Sequence, residues 1–313
     1  MITFDKVTRR YGDKVVVDNL DLTIASGEAV MLVGPSGCGK TTTLKMINRL
    51  IEPTNGVIAI DGVNTATRDL TELRRSIGYV IQQVGLFPHQ TVGENVATVM
   101  RLEKWPKERI RARVEELLDL VGLPPGEYAD RLPGELSGGQ QQRVGVARAL
   151  GVDPLMLLMD EPFGAIDPVT RDRLQDELLR LRRVVRKTIV FVTHDIDEAI
   201  KLGDRIALYN PNGTLAQYST PAELLAHPAS PYVEDFLGGG RLVRRLGLIT
   251  VRDARDRLAP PDAATPDRTI SSDATQRDAL DGVLGSETGR VSVVEGQDVI
   301  GVIDAEIIRT AAR

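Results

Sequence analysis

This chain of 313 residues contains little cysteine, few long apolar runs and no excess of positive charge. The single cysteine, Cys38, excludes an internal disulfide and leaves no cysteine cluster for a metal ion. No apolar run approaches the roughly 20 residues that span a bilayer, and the N-terminus lacks the charged and apolar regions of a signal peptide. We therefore expect the chain to stay in the cytoplasm.

The charge balance argues against one further class of protein. With a formal net charge of -5, the chain is not expected to bind nucleic acid mainly through a basic surface. Its apolar and charged fractions, 42% and 27%, are those of an ordinary globular protein with a sizeable core. The length is sufficient for one large domain and a small second one.

A glycine-rich segment fits the P-loop pattern, in which two glycines enclose four residues and Lys and Thr follow. The apolar run 30–33 predicts a buried strand before it, and residues 43–47 predict a helix after it. Glycines let successive backbone N–H groups face phosphates, and the lysine adds positive charge. The predicted nucleotide-binding residues are Gly34, Ser36, Gly37, Cys38, Gly39, Lys40, Thr41 and Thr42.

Two adjacent carboxylates, Asp160 and Glu161, follow a second apolar run at 155–159. The run is typical of a central parallel strand, and open α/β sheets place their ligand sites at the carboxyl ends of such strands. The pair is therefore a candidate ligand site in which the two carboxylates have different roles. The alternative is that both acids cap the following turn.

Three single residues occupy comparable positions. His194 follows the apolar strand predicted at 188–192, although an isolated histidine there is more often structural. Gln82 follows the apolar run 77–81, with Gln83 as a neighbouring candidate. Tyr11 lies in an Arg-Tyr-Gly sequence near the N-terminus, and its alternative is half-buried packing.

The sequence Leu-Ser-Gly-Gly-Gln at 136–140 lies between the glycine-rich segment and the acidic pair. Ser137 can cap a helix that continues through residue 150, with Gly138, Gly139 and Gln140 at its start. A helix N-terminus favours anions, so this is a second candidate phosphate site.

In this order the three motifs resemble the ATP-binding cassette (ABC) ATPases over roughly the first three quarters of the chain. The resemblance implies an α/β fold, a P-loop ABC-type nucleotide-binding domain with a helical subdomain, and ATP and Mg²⁺ as cofactors. Thr41, Asp160 and Gln82 would form the metal site.

The resemblance also implies the remaining roles. Glu161 would polarise the attacking water, His194 would contact the γ-phosphate region, and Tyr11 would stack on adenine. Two chains would pack head to tail, so that the residues at 137–140 of one chain contact the ATP of the other. Asp167 would belong to the D-loop that crosses this interface.

The branch of the family is indicated by two stretches, 77–89 and 163–168, which resemble the quaternary-amine importers of glycine betaine, choline and carnitine. With one nucleotide-binding unit and no long heptad region, the chain would be a peripheral subunit at the cytoplasmic face of the membrane. Its partners would be two transmembrane permease subunits, an extracytoplasmic solute-binding protein and a second copy of itself. Residues 87–89 lie near where a permease helix docks in related importers, with ordinary loop packing as the alternative. The competing functions are an importer ATPase for an amino acid or polyamine, and a soluble ABC ATPase without a transport role.

The domain prediction follows from these patterns. We expect an ATP-binding domain at 1–238 with a helical insert at about 84–150, a linker at 239–264, and a small domain at 265–313. In the last segment, Asp273 can cap a helix that ends at Gly285, strands alternate at 290–294 and 299–303, and Asp304 can cap a last helix.

This β-α-β-β-α order resembles one cystathionine β-synthase (CBS) module, and importer ATPases of this group often carry two. The resemblance therefore implies an α+β regulatory domain whose open apolar face pairs with its copy in a second subunit. The arginine-rich stretch 241–257 is interpreted as a solvated linker, with a basic surface for anionic lipid or the permease as the alternative.

Overall fold

The computed structural model describes residues 1–82, 85–164, 166–260 and 268–311. The chain divides into two compact units, Met1–Thr220 and Pro221–Arg313. The division precedes residue 238, at which we expected the first domain to end.

Two sheets form the frame of the first unit. Its strands are β1 (Ile2–Tyr11), β2 (Lys14–Ile24), β3 (Ala29–Val33), β4 (Asn55–Ile60), β5 (Val63–Asn64), β6 (Ile77–Val80), β7 (Met156–Asp160), β8 (Thr188–Val192), β9 (Arg205–Tyr209) and β10 (Leu215–Ser219). In the described part of the chain, one sheet has the order β10-β9-β3-β8-β7-β6 and the other β2-β1-β4-β5. The first is parallel except for β10, and the second is antiparallel.

The parallel sheet positions the candidate site. Every residue of β3, β7 and β8 is buried, as the continuous apolar runs of these strands predict for strands covered on both faces. Because the three strands are neighbours and parallel, their carboxyl ends meet at one edge. That edge carries the glycine-rich loop, the acidic pair and His194.

Helices cover the parallel sheet and form a separate bundle. They are α1 (Lys40–Ile47), α2 (Leu70–Arg75), α3 (Val92–Leu102), α4 (Lys107–Leu120), α5 (Pro125–Tyr128), α6 (Gly138–Ala149), α7 (Pro168–Val185) and α8 (Ile196–Leu202). Leu44 and Ile47 of α1 belong to a buried cluster that also contains residues of both sheets, so α1 lies between the sheets. Helices α3 to α6 pack on one another and lie inside the range expected for the helical insert.

The second unit holds helices on a small sheet. Its elements are α9 (Pro221–Ala226), α10 (Pro231–Leu237), α11 (Arg241–Leu246), a 3-10 helix (Arg252–Arg257), β11 (Thr269–Ser271), α12 (Gln276–Leu284), β12 (Arg290–Glu295), β13 (Asp298–Asp304) and α13 (Ala305–Ala311). The sheet order is β11-β12-β13, with β11 parallel and β13 antiparallel to β12. The last five of these elements have the β-α-β-β-α order that the sequence predicts.

One detail of this unit differs from the prediction. Helix α12 is capped by Thr275, whose side chain accepts from the Asp278 N–H, and not by Asp273, which pairs with Arg252 at 2.8 Å. The expected ends are present, since Gly285 is the C-cap of α12 and the Asp304 side chain accepts from the Ile307 N–H.

The stretch predicted as a solvated linker is in part packed. Leu246, Val251 and Ala254 are buried, the first two within the apolar core of the second unit. The spacing of these three residues along the chain has no helical period. They lie in and between two short elements that follow one another, α11 and the 3-10 helix. Residues 261–267, which include the end of the predicted linker and the start of the predicted small domain, lie outside the described residues.

Candidate nucleotide and magnesium site

The glycine-rich loop requires glycine at its two ends. A Cβ on Gly34 (φ +148°) would lie 2.9 Å from Cys38 Sγ and 3.0 Å from the Tyr209 carbonyl oxygen. A Cβ on Gly39 (φ +101°) would lie 2.4 Å from the Val16 carbonyl oxygen. Any side chain at either position would clash with backbone, so the loop conformation depends on both glycines.

The lysine of the loop is held against the loop itself. Lys40 is 6% exposed, and its Nζ donates to the carbonyl oxygens of Gly34 at 2.7 Å and Pro35 at 2.9 Å. Ser36 and Gly37 are exposed at the tip of the loop, and Thr42 is half-buried in the first turn of α1. The ammonium and the N-terminus of α1 therefore add positive potential at the same place.

Cys38 is buried beneath the loop. Burial raises the pKa of its thiol, while the nearby Lys40 charge acts in the opposite direction. A protonated, inaccessible thiol indicates that the Cys38 side chain serves as a small packing group.

Hard oxygen ligands meet beside the loop. Thr41 Oγ1 donates to Asp160 Oδ1 at 2.7 Å, and Asp160 is 8% exposed at the end of β7. Among the described residues, no group of three or more His, Cys, Asp or Glu could hold a metal by itself. This donor set fits Mg²⁺, which binds through one or two protein oxygens and completes its octahedron with water and phosphate.

Glu161 has two polar neighbours at the same sheet edge. Its backbone is left-handed (φ +44°), and its N–H donates to the Val192 carbonyl oxygen at 3.0 Å. Gln82 Nε2 donates to Glu161 Oε2 at 3.1 Å, and His194 Nδ1 lies 3.5 Å from the same oxygen. Gln82 thus contacts Glu161 in this structure, and its role near the metal stays a prediction. Gln83 lies outside the described residues.

His194 is not a buried structural histidine. Its side chain is 60% exposed, although it follows a wholly buried strand. Tyr11 is also open, with 45% exposure, and the Arg9 guanidinium carbon lies 4.4 Å from its ring centroid. The two alternative interpretations, a buried structural histidine and a half-buried tyrosine, therefore do not describe these exposed side chains.

Sequence reasoning missed Arg171, which joins two loops of the site. Its Nη2 donates to the Ile166 carbonyl oxygen at 2.9 Å, and its Nη1 lies 3.9 Å from Asp195 Oδ2. Asp167 caps α7 by accepting from the Thr170 N–H at 3.0 Å, and Asp195 caps α8. The available signal was an arginine four residues after the capping aspartate, one helical turn into α7.

The Ser-Gly-Gly-Gln segment begins α6 with a reciprocal cap. Ser137 Oγ accepts from the Gln140 N–H at 3.3 Å, and Gln140 Oε1 accepts from the Ser137 N–H at 2.8 Å. Ser137 and Gly138 are exposed, while a Cβ on Gly139 would lie 3.1 Å from Thr170 Cγ2. The segment is an exposed helix start with a hydroxyl at its tip.

Comparison with known proteins places this geometry in a family. Residues 17–164 match the family model described as ABC transporter. Over 310 residues the chain is 50% identical to the glycine betaine/carnitine/choline transport ATP-binding protein OpuCA of Bacillus subtilis (strain 168), an alignment that covers 98% of this chain and 79% of the relative. The chain belongs to the ABC transporter family.

Two further comparisons agree with this assignment. The ABC chain is 47% identical over 281 residues to the glycine betaine uptake system ATP-binding protein YehX of Escherichia coli (strain K12), covering 90% of this chain and 89% of that one. A solved dimeric ATP-binding cassette in a post-hydrolysis state, bound to ADP and Pi, aligns with a TM-score of 0.62 and 37% identity, covering 71% of this chain and 99% of the other.

The ABC chain is thus an ATPase with a P-loop fold that binds ATP with Mg²⁺ and couples hydrolysis to transport. In the described part of the chain, no helix has the length and apolar character required to cross a membrane.

Proposed function

We propose that this ABC ATPase powers the import of quaternary-amine compatible solutes, of the glycine betaine, choline and carnitine type, through a separate permease. The observation that carries the proposal is 50% identity, sustained over 98% of the chain, with a relative named for transport of these solutes. A second relative, named for glycine betaine uptake, is 47% identical. The stretches 77–89 and 163–168 led to the same branch from the sequence alone.

The phosphate end of ATP would be held by the glycine-rich loop. Lys40 and the backbone N–H groups at the start of α1 would contact the phosphates, with Thr41 and Asp160 holding Mg²⁺. The ion would neutralise charge on the phosphate oxygens during transfer. The 2.7 Å hydrogen bond from Thr41 Oγ1 to Asp160 Oδ1 supports this assignment of the metal ligands, because it places the two oxygen atoms side by side.

Glu161 would act on the attacking water. The left-handed backbone of Glu161 changes the direction of its side chain at the end of β7. The amide of Gln82 and the ring of His194 both lie next to Oε2 of Glu161. Two neighbours at one oxygen restrict the carboxylate, which leaves its other oxygen for the water. His194 is exposed enough to reach a γ-phosphate as well.

The working unit would be a homodimer. The α6 start, with Ser137, Gly138, Gly139 and Gln140, would meet the γ-phosphate of ATP bound to the other chain, and Asp167 would lie near the interface. A structural neighbour that is dimeric with bound ADP and Pi supports this arrangement. ATP binding would then favour the closed dimer, and hydrolysis would release it.

The permease would dock on the helical bundle. Residues of α3, α4 and α5 line a groove of about 800 Å³. Within α3, the buried Asn95 holds the backbone of Phe87 through hydrogen bonds of 2.7 and 3.1 Å, while Phe87 itself is 40% exposed. A fixed, open aromatic residue is suited to contact with a partner. In this assembly the chain would lie at the cytoplasmic face of the inner membrane, and an extracytoplasmic binding protein would select the solute.

The last five elements of the second unit would form a single CBS-like regulatory module. Their order and the parallel pairing of β11 with β12 support this proposal. We further propose that the module pairs with its copy in the second subunit.

The function is tested by uptake of labelled glycine betaine and choline in cells that express this chain with its neighbouring permease. Wild type is compared with Glu161→Gln at low and high osmolarity. Uptake that requires Glu161 supports a compatible-solute importer. An assembled, ATP-hydrolysing complex that takes up neither solute would contradict the proposal and move the substrate to another class, such as amino acids or polyamines.

A further inference from the structure

Tyr79 lies beside the proposed metal site without a role in the description above. It is the third residue of β6 and is paired with Leu158 in the parallel register of β6 and β7. Asp160 comes two residues after Leu158, so the two side chains lie on the same face of the sheet. Paired residues of neighbouring strands also share a face, which places the Tyr79 ring on the side of Asp160.

The same face is covered by α1. The Tyr79 ring packs against the buried cluster that contains Leu158 and Leu44. Thr41, in the first turn of α1, reaches Asp160 from this side. A tyrosine at this position therefore extends along the sheet towards the carboxylate that Thr41 already contacts.

The ring is explained by packing, but the hydroxyl is not. The Tyr79 hydroxyl oxygen is buried, and among the described residues it has no partner in hydrogen-bond geometry. Its surroundings raise the pKa of Tyr79, mainly through burial and then through the Asp160 carboxylate. The hydroxyl thus interacts with the Asp160 carboxylate without reaching full hydrogen-bond geometry. A phenylalanine would fill the same space without burying a hydroxyl.

We propose that Tyr79 is a positioning residue for the Mg²⁺ of bound ATP, whose hydroxyl donates to the Asp160 oxygen that Thr41 does not use. Thr41 Oγ1 donates to Asp160 Oδ1, which leaves Oδ2 for the tyrosine. Two donors on opposite oxygens fix the plane of the carboxylate and leave its remaining lone pairs for the ion or its waters. Partners of this kind set the orientation of a metal ligand, and their loss commonly weakens metal affinity about 10- to 100-fold.

The test is Tyr79→Phe in the full-length chain, with ATP binding measured in Mg²⁺ and again in EDTA. We expect about tenfold weaker binding in Mg²⁺ and unchanged binding in EDTA, because only the metal-dependent part uses the hydroxyl. The melting temperature of the ATP-free variant should equal or exceed that of wild type, since an unpartnered buried hydroxyl is removed.

Tyr218→Phe is the matched control. Its hydroxyl donates to the Thr23 carbonyl oxygen at 2.9 Å, so its removal should lower the melting temperature and leave ATP binding unchanged in both buffers. The proposal is overturned if Tyr79→Phe binds ATP as wild type does in Mg²⁺, or if binding weakens equally with and without the metal. A lower melting temperature with normal binding would overturn it as well, because the hydroxyl would then serve the fold. The test involves no permease, so it is independent of the solute that is transported.

Discussion

The two helix starts that we assign to phosphate binding are built differently. Helix α1 begins at Gly39, which has no side chain to cap it, and Lys40 lies over the same loop. Helix α6 begins at Ser137, where a reciprocal cap with Gln140 already occupies two backbone N–H groups. The first start has no side-chain cap, so its backbone donors can face an anion, whereas the second keeps the N–H groups of Gly138 and Gly139 and the hydroxyl hydrogen of Ser137 for this purpose.

This difference bears on how the site works. The α1 start can bind phosphate within one chain, since its donors and its charge are in place. The first turn of α6 contains no cationic residue comparable to Lys40, so the α6 start would contribute when a phosphate is brought to it. We infer that ATP binds first to the α1 loop and that the α6 start of a partner closes on the bound nucleotide.

The largest expected effect comes from Glu161→Gln, which separates closure from hydrolysis. Loss of a general base lowers the rate by about 10²- to 10⁴-fold. The amide oxygen of the variant still accepts from Gln82, so ATP binding should persist and the closed dimer should accumulate. ATPase assays and size-exclusion chromatography with ATP measure the two effects. Hydrolysis at the wild-type rate would show that Glu161 is not the base.

The next largest effect is expected for Lys40→Ala, which removes the ammonium group from the phosphate site at the α1 start. Hydrogen bonds from a charged donor contribute about 1.5 to 3 kcal/mol, so MgATP binding should weaken about 10- to 100-fold. Isothermal titration calorimetry on the isolated chain measures this directly. Lys45→Ala, in the same helix but past its first turn, serves as the control and should bind normally. Normal binding by Lys40→Ala would remove the contrast between the two helix starts.

Ser137→Ala tests the second helix start, that of α6. ATP binding to the single chain should be unchanged, while dimer formation and the ATPase rate fall about tenfold, as expected for one lost hydrogen bond to a charged group. Loss of the cap should also cost about 1 kcal/mol of stability.

Thr275→Ala is the control for that cap. It removes an equivalent reciprocal cap from α12 in the second unit. Its stability cost should be similar, and its hydrolysis should remain normal. If Ser137→Ala weakened ATP binding in the monomer, the α6 start would act within its own chain.

The first helix start was predictable because its signals are local. The apolar run, the glycines and the lysine follow one another in the sequence, and β3, the loop and α1 have the order that these residues predict. The strand that ends at Asp160 and the strand that precedes His194 were predictable for the same reason. The dimeric use of Ser137 was supplied by family resemblance and stays a prediction.

Other features depend on residues far apart in the chain. The unpartnered hydroxyl of Tyr79 becomes meaningful only in the register of β6 with β7. Asp273 and Thr275 are both good capping residues, and the pairing of Asp273 with Arg252 leaves the cap to Thr275. Local sequence patterns contain neither the register nor the ion pair, so these points required the structure.

A buried carboxylate, Glu198, lies near Glu161 and His194 in the site. Glu198 of α8 is 5% exposed, follows His194 by four residues and accepts from Gln175 Nε2 at 3.0 Å. Burial raises the pKa of Glu198, although hydrogen bonds from Thr193 and Gln175 oppose the shift. The folded protein therefore favours the protonated acid more than the unfolded chain does.

The sign of the pH dependence follows from this shift. As pH rises from the unfolded pKa of about 4.3 through the raised folded pKa, the contribution of Glu198 to stability decreases, and the cost of its buried charge is complete only above that folded pKa. Glu198→Gln keeps an oxygen for Gln175 and removes the charge, so it should be more stable at pH 8, on the order of 1 kcal/mol or less. Urea unfolding at pH 5 and pH 8 should show a gap between variant and wild type that grows with pH. A stability difference that is constant across this pH range would mean that burial of the ionised Glu198 carboxylate costs no stability and that the side chain contributes by packing alone.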